Sequence, residues 1–186
     1  MITLQLCKTA IATAALALFA TTGALAAGTM SKTDMASAKD RISADYKAEK
    51  SMCSKFSSNE KDVCMAQAKG KEKVARAELT YKDTATENDA NKLAVAKADA
   101  TYEVAKEMCD DKAGNVKDVC VTEAKSTHVK ALADAKMSKK VGEARKDSAE
   151  DKRDADYKVA AEKCDSLAGE AKASCISAAK ARFNKS

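Results

Sequence analysis

Residues Cys109 to Cys120 read CDDKAGNVKDVC, and the same two-cysteine frame recurs as Cys53 to Cys64 and as Cys164 to Cys175. On a straight helix, cysteines eleven positions apart would be separated by roughly 16 Å along the axis. A disulfide holds its two Cα atoms at about 4.4 to 6.8 Å. If the two cysteines of a frame pair, the helix must therefore reverse between them, and each frame predicts a helical hairpin closed by a disulfide.

The middle of each frame carries residues typical of a turn. In the central frame glycine is expected to end one helix and the following asparagine to cap the next. The third frame keeps the glycine and lacks the asparagine, so its turn is the least well specified. The predicted turn residues are Ser58 and Asn59, Gly114 and Asn115, and Gly169.

Residues 1–26 have the pattern of a cleaved signal peptide. Lys8 precedes an apolar run, and Ala24-Leu25-Ala26 matches the small-x-small cleavage motif. We therefore expect export to the periplasm or the medium, with no transmembrane anchor after cleavage near Ala26. The remaining residues contain six cysteines, an even number that favours disulfides in an oxidising compartment. Fifteen pairings are open in principle, and the identical local spacing favours the three nearest-neighbour pairs.

The composition predicts an all-α protein with a thin core. Aromatic residues make up 4% of the chain and charged residues 33%, and neither Trp nor Pro occurs. Alanine, lysine, glutamate and aspartate dominate, and these residues favour helix. Few large apolar side chains are left to fill an interior.

The chain repeats with a period of about 55 residues, since Cys53 precedes Cys109 by 56 positions and Cys109 precedes Cys164 by 55. We place the repeat units at about 31–84, 85–141 and 142–186, within one helical domain from 27 to 186. A tyrosine lies seven residues before the first cysteine of each frame, on the same helix face. The tyrosines are Tyr46, Tyr102 and Tyr157. We expect each ring to pack across its hairpin; an exposed binding ring is the alternative.

The connections between frames predict about six helices. Thr84 and Glu87 form a capping box that would start a new helix. Gly142 marks the next midpoint, but a lone glycine does not end a helix, so the fourth and fifth helices could form one rod. The pattern leaves open whether the hairpins pack as a compact bundle or as an extended array.

The sequence offers little catalytic or metal-binding chemistry. His128 is the one histidine, and we expect a solvated surface side chain. There is no C-x-x-C, no phosphate-binding loop and no G-x-S-x-G, so we expect no enzyme, cofactor or metal site. Six methionines follow the signal region, and we interpret them as core filler rather than as copper ligands. They are Met30, Met35, Met52, Met65, Met108 and Met137.

The net charge of +5 is spread along the chain, which argues against a nucleic-acid partner. The unit Y-x6-C-x10-C, with Ala-Lys after each second cysteine, resembles small exported Gram-negative proteins rich in Ala, Lys, Glu and Asp. Some chains of that group carry the label "cell envelope biogenesis protein TolA", although this sequence lacks a convincing uncleaved anchor and a separate C-terminal globular domain.

From the residues and this resemblance together we expect a non-enzymatic periplasmic or secreted helical repeat protein. It would act as a spacer, adaptor or binding protein of the cell envelope, with an unidentified protein or envelope component as its partner. Self-association is left open. The alternative is a soft-metal or thiol-redox protein that uses the Cys and Met residues.

Overall fold

The computed structural model describes residues 30–185, and the predicted signal peptide (1–26) lies outside them. This part of the chain is helical throughout and contains no strand. The helices are α1 (Lys32–Cys53), α2 (Ser58–Thr84), α3 (Glu87–Cys109), α4 (Gly114–Cys164) and α5 (Gly169–Arg182). The prediction of an all-α fold built from stapled hairpins is confirmed, with five helices instead of about six because the predicted fourth and fifth are one helix.

The helices form an open zigzag. Among the described residues each helix contacts only the helices before and after it in the chain. Helices α1 and α2 run in opposite directions, since the backbone N–H of Met30, just before α1, donates to Asp83 near the end of α2 at 2.6 Å. Of the two packings that the sequence left open, the structure therefore has the extended array of hairpins.

Helix α4 joins two parts of the array. At 51 residues it is about 76 Å long at 1.5 Å per residue. Its first half packs on α3 and its last part on α5, whereas every residue from 143 to 153 is exposed. Gly142 does not interrupt the helix. It lies against the carboxylate of Glu87, at the start of α3, where a Cβ would overlap that group.

The turn between α2 and α3 differs in detail from the predicted capping box. Ala85 adopts a left-handed conformation at φ 49°, and Thr86 is the N-cap of α3. The Thr86 hydroxyl accepts from the backbone N–H of Asp89 at 3.1 Å. Thr86 therefore caps the helix in place of Thr84, and the Asp89 carboxylate accepts hydrogen bonds from the hydroxyls of both threonines.

The core is thin, as the composition predicts. The buried apolar residues of the described chain are Cys53, Ala68, Leu79, Leu93, Ala98, Cys109, Ala135, Cys164 and Ala179. Helices α2 and α3 approach closely at Gly70, where a Cβ would lie 2.9 Å from the Cβ of Ala100. Small residues thus replace large ones by letting the helix backbones come together.

Candidate functional site

The three predicted disulfides are present, and each closes one hairpin. Their Cα–Cα distances are 5.5 Å for Cys53–Cys64, 5.7 Å for Cys109–Cys120 and 5.7 Å for Cys164–Cys175. In each pair the first cysteine ends a helix and is at most 1% exposed. We call the hairpins the first (α1 and α2), the second (α3 and the first half of α4) and the third (the end of α4 and α5).

The turns share a backbone feature that differs from the predicted one. Ser58, Gly114 and Gly169 begin the returning helices with φ of 50°, 56° and 58°. The glycine was expected to end the preceding helix, but that helix already ends at the cysteine. Asn115 was expected as the N-cap of the returning helix, and it lies one residue inside that helix, as Asn59 does in the first hairpin. The positive φ, which glycine adopts without strain, is what the three turns have in common.

Ion pairs across two of the turns were missed in the sequence. Lys117 Nζ lies 2.9 Å from Asp110, and Lys172 Nζ lies 3.0 Å from Asp165, the equivalent pair one repeat later. The pairing lowers the pKa of Asp110 and raises that of Lys117, chiefly through their hydrogen bond. The sequence does contain a signal for these ion pairs, the pattern D-x6-K directly after the first cysteine of the second and third frames. The first frame has Ser54 at the aspartate position.

The three tyrosines face the returning helix of their hairpins. Tyr46 lines a groove between α1 and α2 together with Glu72. Tyr102 stacks on His128 with ring centroids 4.7 Å apart, and Tyr157 meets Phe183 edge-on at 6.5 Å. Glu72, His128 and Phe183 occupy the same position in their repeats. Each lies three residues after the lysine of the Ala-Lys pair.

The expectation of a solvated His128 is wrong. Its side chain is 18% exposed and its Nε2 lies 2.6 Å from Asp99 Oδ1. A carboxylate oxygen can only accept, so Nε2 carries the proton and donates. The error arose because both partners of His128, Asp99 and Tyr102, come from the preceding helix α3, and no local pattern around the histidine reveals them.

Two apolar grooves run along the array. One, of 440 Å³, lies between α3 and α4 beside the stacked pair and is lined mainly by alanines. The other, of 680 Å³, lies between α2 and α3 and includes Val74 and Val104. The ridge between the grooves carries Lys97 and Thr101, which line both. The surface formed by α2, α3 and the first half of α4 therefore carries two shallow apolar grooves, with Lys97 on the ridge between them.

The six cysteines of residues 30–185 are all paired, so this part of the chain has no thiolate for a metal. It also contains no cluster of three or more His, Cys, Asp or Glu that could hold one. The interpretation of the methionines as core filler is wrong for three of them. Met52, Met108 and Met137 are 54%, 56% and 60% exposed.

No protein-family model matches the chain, and neither the curated proteins nor the solved structures contain a significant match. None of the helices described between residues 30 and 185 has the length and apolarity needed to cross a membrane. The geometry of the chain itself is therefore the basis for any functional argument.

Proposed function

We propose that this protein is a non-enzymatic spacer or adaptor of the cell envelope, exported to the periplasm or the medium. It would hold two stapled modules, residues 30–142 and 154–185, at a fixed separation and orientation. The observation that carries the proposal is the continuity of α4 through both modules, with residues 143–153 exposed on all sides.

The exposed segment has the composition of a helix that is stable without packing. It reads EARKDSAEDKR, and charges of both signs on good helix formers suit a solvated helix. Eleven residues span about 16 Å, so the third hairpin is held clear of the second. A flexible linker would not transmit orientation between the two modules, whereas a continuous helix does.

The disulfides support the proposed compartment. Disulfides persist in the periplasm and outside the cell and are rare in reducing cytosol. Three of them in a chain with so thin a core suit a small protein that must stay folded in that environment. The resemblance to small exported Gram-negative proteins rich in Ala, Lys, Glu and Asp supports export as well.

The test is site-specific photo-crosslinking in the native host. A photoreactive residue replaces Val129 in the first module or Leu167 in the second, both exposed, and a third variant carries it at Lys146 in the exposed segment. An adaptor predicts specific crosslinks from both modules and none from Lys146. Crosslinks confined to the segment, or none above background from either module, would contradict the proposal.

The spacer role is tested by replacing residues 143–153 with a Gly/Ser sequence of equal length. Each module should keep its own crosslink, while crosslinks made by both modules of one molecule should be lost. A matched control replaces the same residues with another charged helical sequence of equal length and should keep both. Equal behaviour of the two replacements would show that rigidity has no role.

A further inference from the structure

Three methionine side chains of the described residues are largely exposed to solvent. Met52, Met108 and Met137 are more than half exposed, while Met30, Met35 and Met65 are partly covered. Methionine is among the residue types most often buried. Core packing therefore does not explain the three exposed methionines.

Two of the exposed methionines occupy the same position in successive repeats. Met52 directly precedes Cys53, and Met108 directly precedes Cys109. These cysteines are buried, end α1 and α3, and are held by their disulfides. The helix ends are thus fixed by the cysteines, and each neighbouring methionine has more than half of its surface open to an added polar atom.

The thiols of the described chain are already oxidised to disulfides, which removes the usual first target of an oxidant. Thioethers come next, and their reactivity follows exposure. We propose that Met52, Met108 and Met137 are reversible oxidation sites, at which the protein consumes peroxide-type two-electron oxidants with its fold intact.

The step balances with hydrogen peroxide as the oxidant. A lone pair of the methionine sulfur attacks one peroxide oxygen, the S–O bond forms and the O–O bond breaks. The departing hydroxide takes up the proton of the transferred oxygen and leaves as water. The sulfur is oxidised by two electrons, the peroxide is reduced by two, and the product is methionine sulfoxide, which sulfoxide reductases return to methionine.

The experiment treats the disulfide-intact protein with graded hydrogen peroxide, measures each methionine by peptide mass spectrometry and follows helix content by circular dichroism. The three exposed sites should oxidise at least about fivefold faster than Met35 and Met65, with the helix signal unchanged. Comparable rates at the exposed and covered sites, or loss of helix in step with oxidation of the exposed sites, would overturn the proposal.

A triple variant with leucine at the three sites provides the matched control. It should keep the native circular dichroism spectrum and take up three fewer equivalents of oxygen in the fast phase. Treatment of the oxidised, folded wild type with reductases for both sulfoxide epimers should restore the three sites. Failure of the variant to lose the fast phase, or of the reductases to act on the folded protein, would each count against reversible oxidation at these positions.

Discussion

Tyr102 and His128 stack across the second hairpin with their ring planes 14° apart. The equivalent of His128 is Phe183 in the third hairpin and Glu72 in the first. The second hairpin therefore keeps an aromatic contact like that of the third and adds a hydrogen bond from His128 to Asp99. The stack joins α3 to α4 beside a groove in which most of the other lining side chains are alanine, so it contributes large aromatic contacts there.

The stacking of Tyr102 on His128 predicts different outcomes for two substitutions of His128. His128→Phe copies the third hairpin and should keep the free energy of unfolding close to that of the wild type. His128→Ala removes the stacked ring and should lower it by about 1 kcal/mol beyond the loss of buried area. Urea unfolding followed by circular dichroism measures both. If the phenylalanine variant is as unstable as the alanine variant, the hydrogen bond to Asp99 and not the stack joins the helices.

The disulfides of the second and third hairpins differ in how strongly the helices that they join depend on them. Helix α5 has 14 residues and packs only on the end of α4, and isolated helices shorter than about 12 to 15 residues are marginal in water. Replacing Cys164 and Cys175 with serine should therefore unfold α5 locally, seen as loss of hydrogen-exchange protection confined to it.

The matched control replaces Cys109 and Cys120 with serine. The long α3–α4 contact remains, so the variant should lower the free energy of unfolding by about 3 kcal/mol or less while both helices keep their protection. Local unfolding in the second hairpin instead of the third would reverse this ranking of the staples.

Much of the fold was predictable from the sequence because its signals are local. The spacing of the cysteines requires a reversal, and the composition allows only helices. The continuity of α4 was left open because Gly142 gives no decisive signal, and its contact with Glu87 joins residues from different repeats. The surroundings of His128 could not be predicted, since its hydrogen-bond partner lies 29 positions away. The exposure of the three methionines could not be predicted from the usual burial of methionine, because the core of this chain is too thin to hold them.

Gly70 and Gly142 allow a comparison between rigid and movable neighbours. Alanine at either position gains roughly 1 kcal/mol of helix propensity. At Gly70 the new Cβ would lie 2.9 Å from the Cβ and 3.4 Å from the Cα of Ala100, so the helices must separate, at a cost of about 1 to 3 kcal/mol. At Gly142 the Glu87 carboxylate can swing aside. Gly142→Ala should therefore raise the melting temperature and Gly70→Ala should lower it. Equal gains would show that α2 and α3 separate freely.

The lowered pKa of Asp89 predicts how acid changes the stability of the turn between α2 and α3. A hydrogen bond from Lys92 at 2.8 Å, helped by Thr84 and Thr86, lowers the pKa of Asp89 from 3.8 to about 2. Because the folded state holds the charged carboxylate, its contribution to stability is complete above pH 3.8 and is lost as the pH falls through about 2. Asp89→Asn should lower stability at neutral pH and weaken its fall with acid in that range, measured by urea unfolding at stepped pH. An unchanged acid profile would show that the carboxylate has the same pKa when unfolded.

Ser58 offers the sharpest test of the turns. It adopts φ of 50° where the other two turns have Gly114 and Gly169, and a left-handed residue with a Cβ costs roughly 1 to 2 kcal/mol. Ser58→Gly should therefore stabilise the protein by about 1 kcal/mol after the entropy cost of glycine is subtracted. The reverse changes, Gly114→Ser and Gly169→Ser, should each destabilise by a similar amount. No atom lies within 4 Å of a Cβ built at either glycine, so the loss would be conformational and not steric.

Ser58→Ala keeps the Cβ and should change little, which separates the backbone effect from that of the hydroxyl. Thermal unfolding of the four variants decides the matter, and a neutral Ser58→Gly would mean that the first turn adopts another conformation in solution.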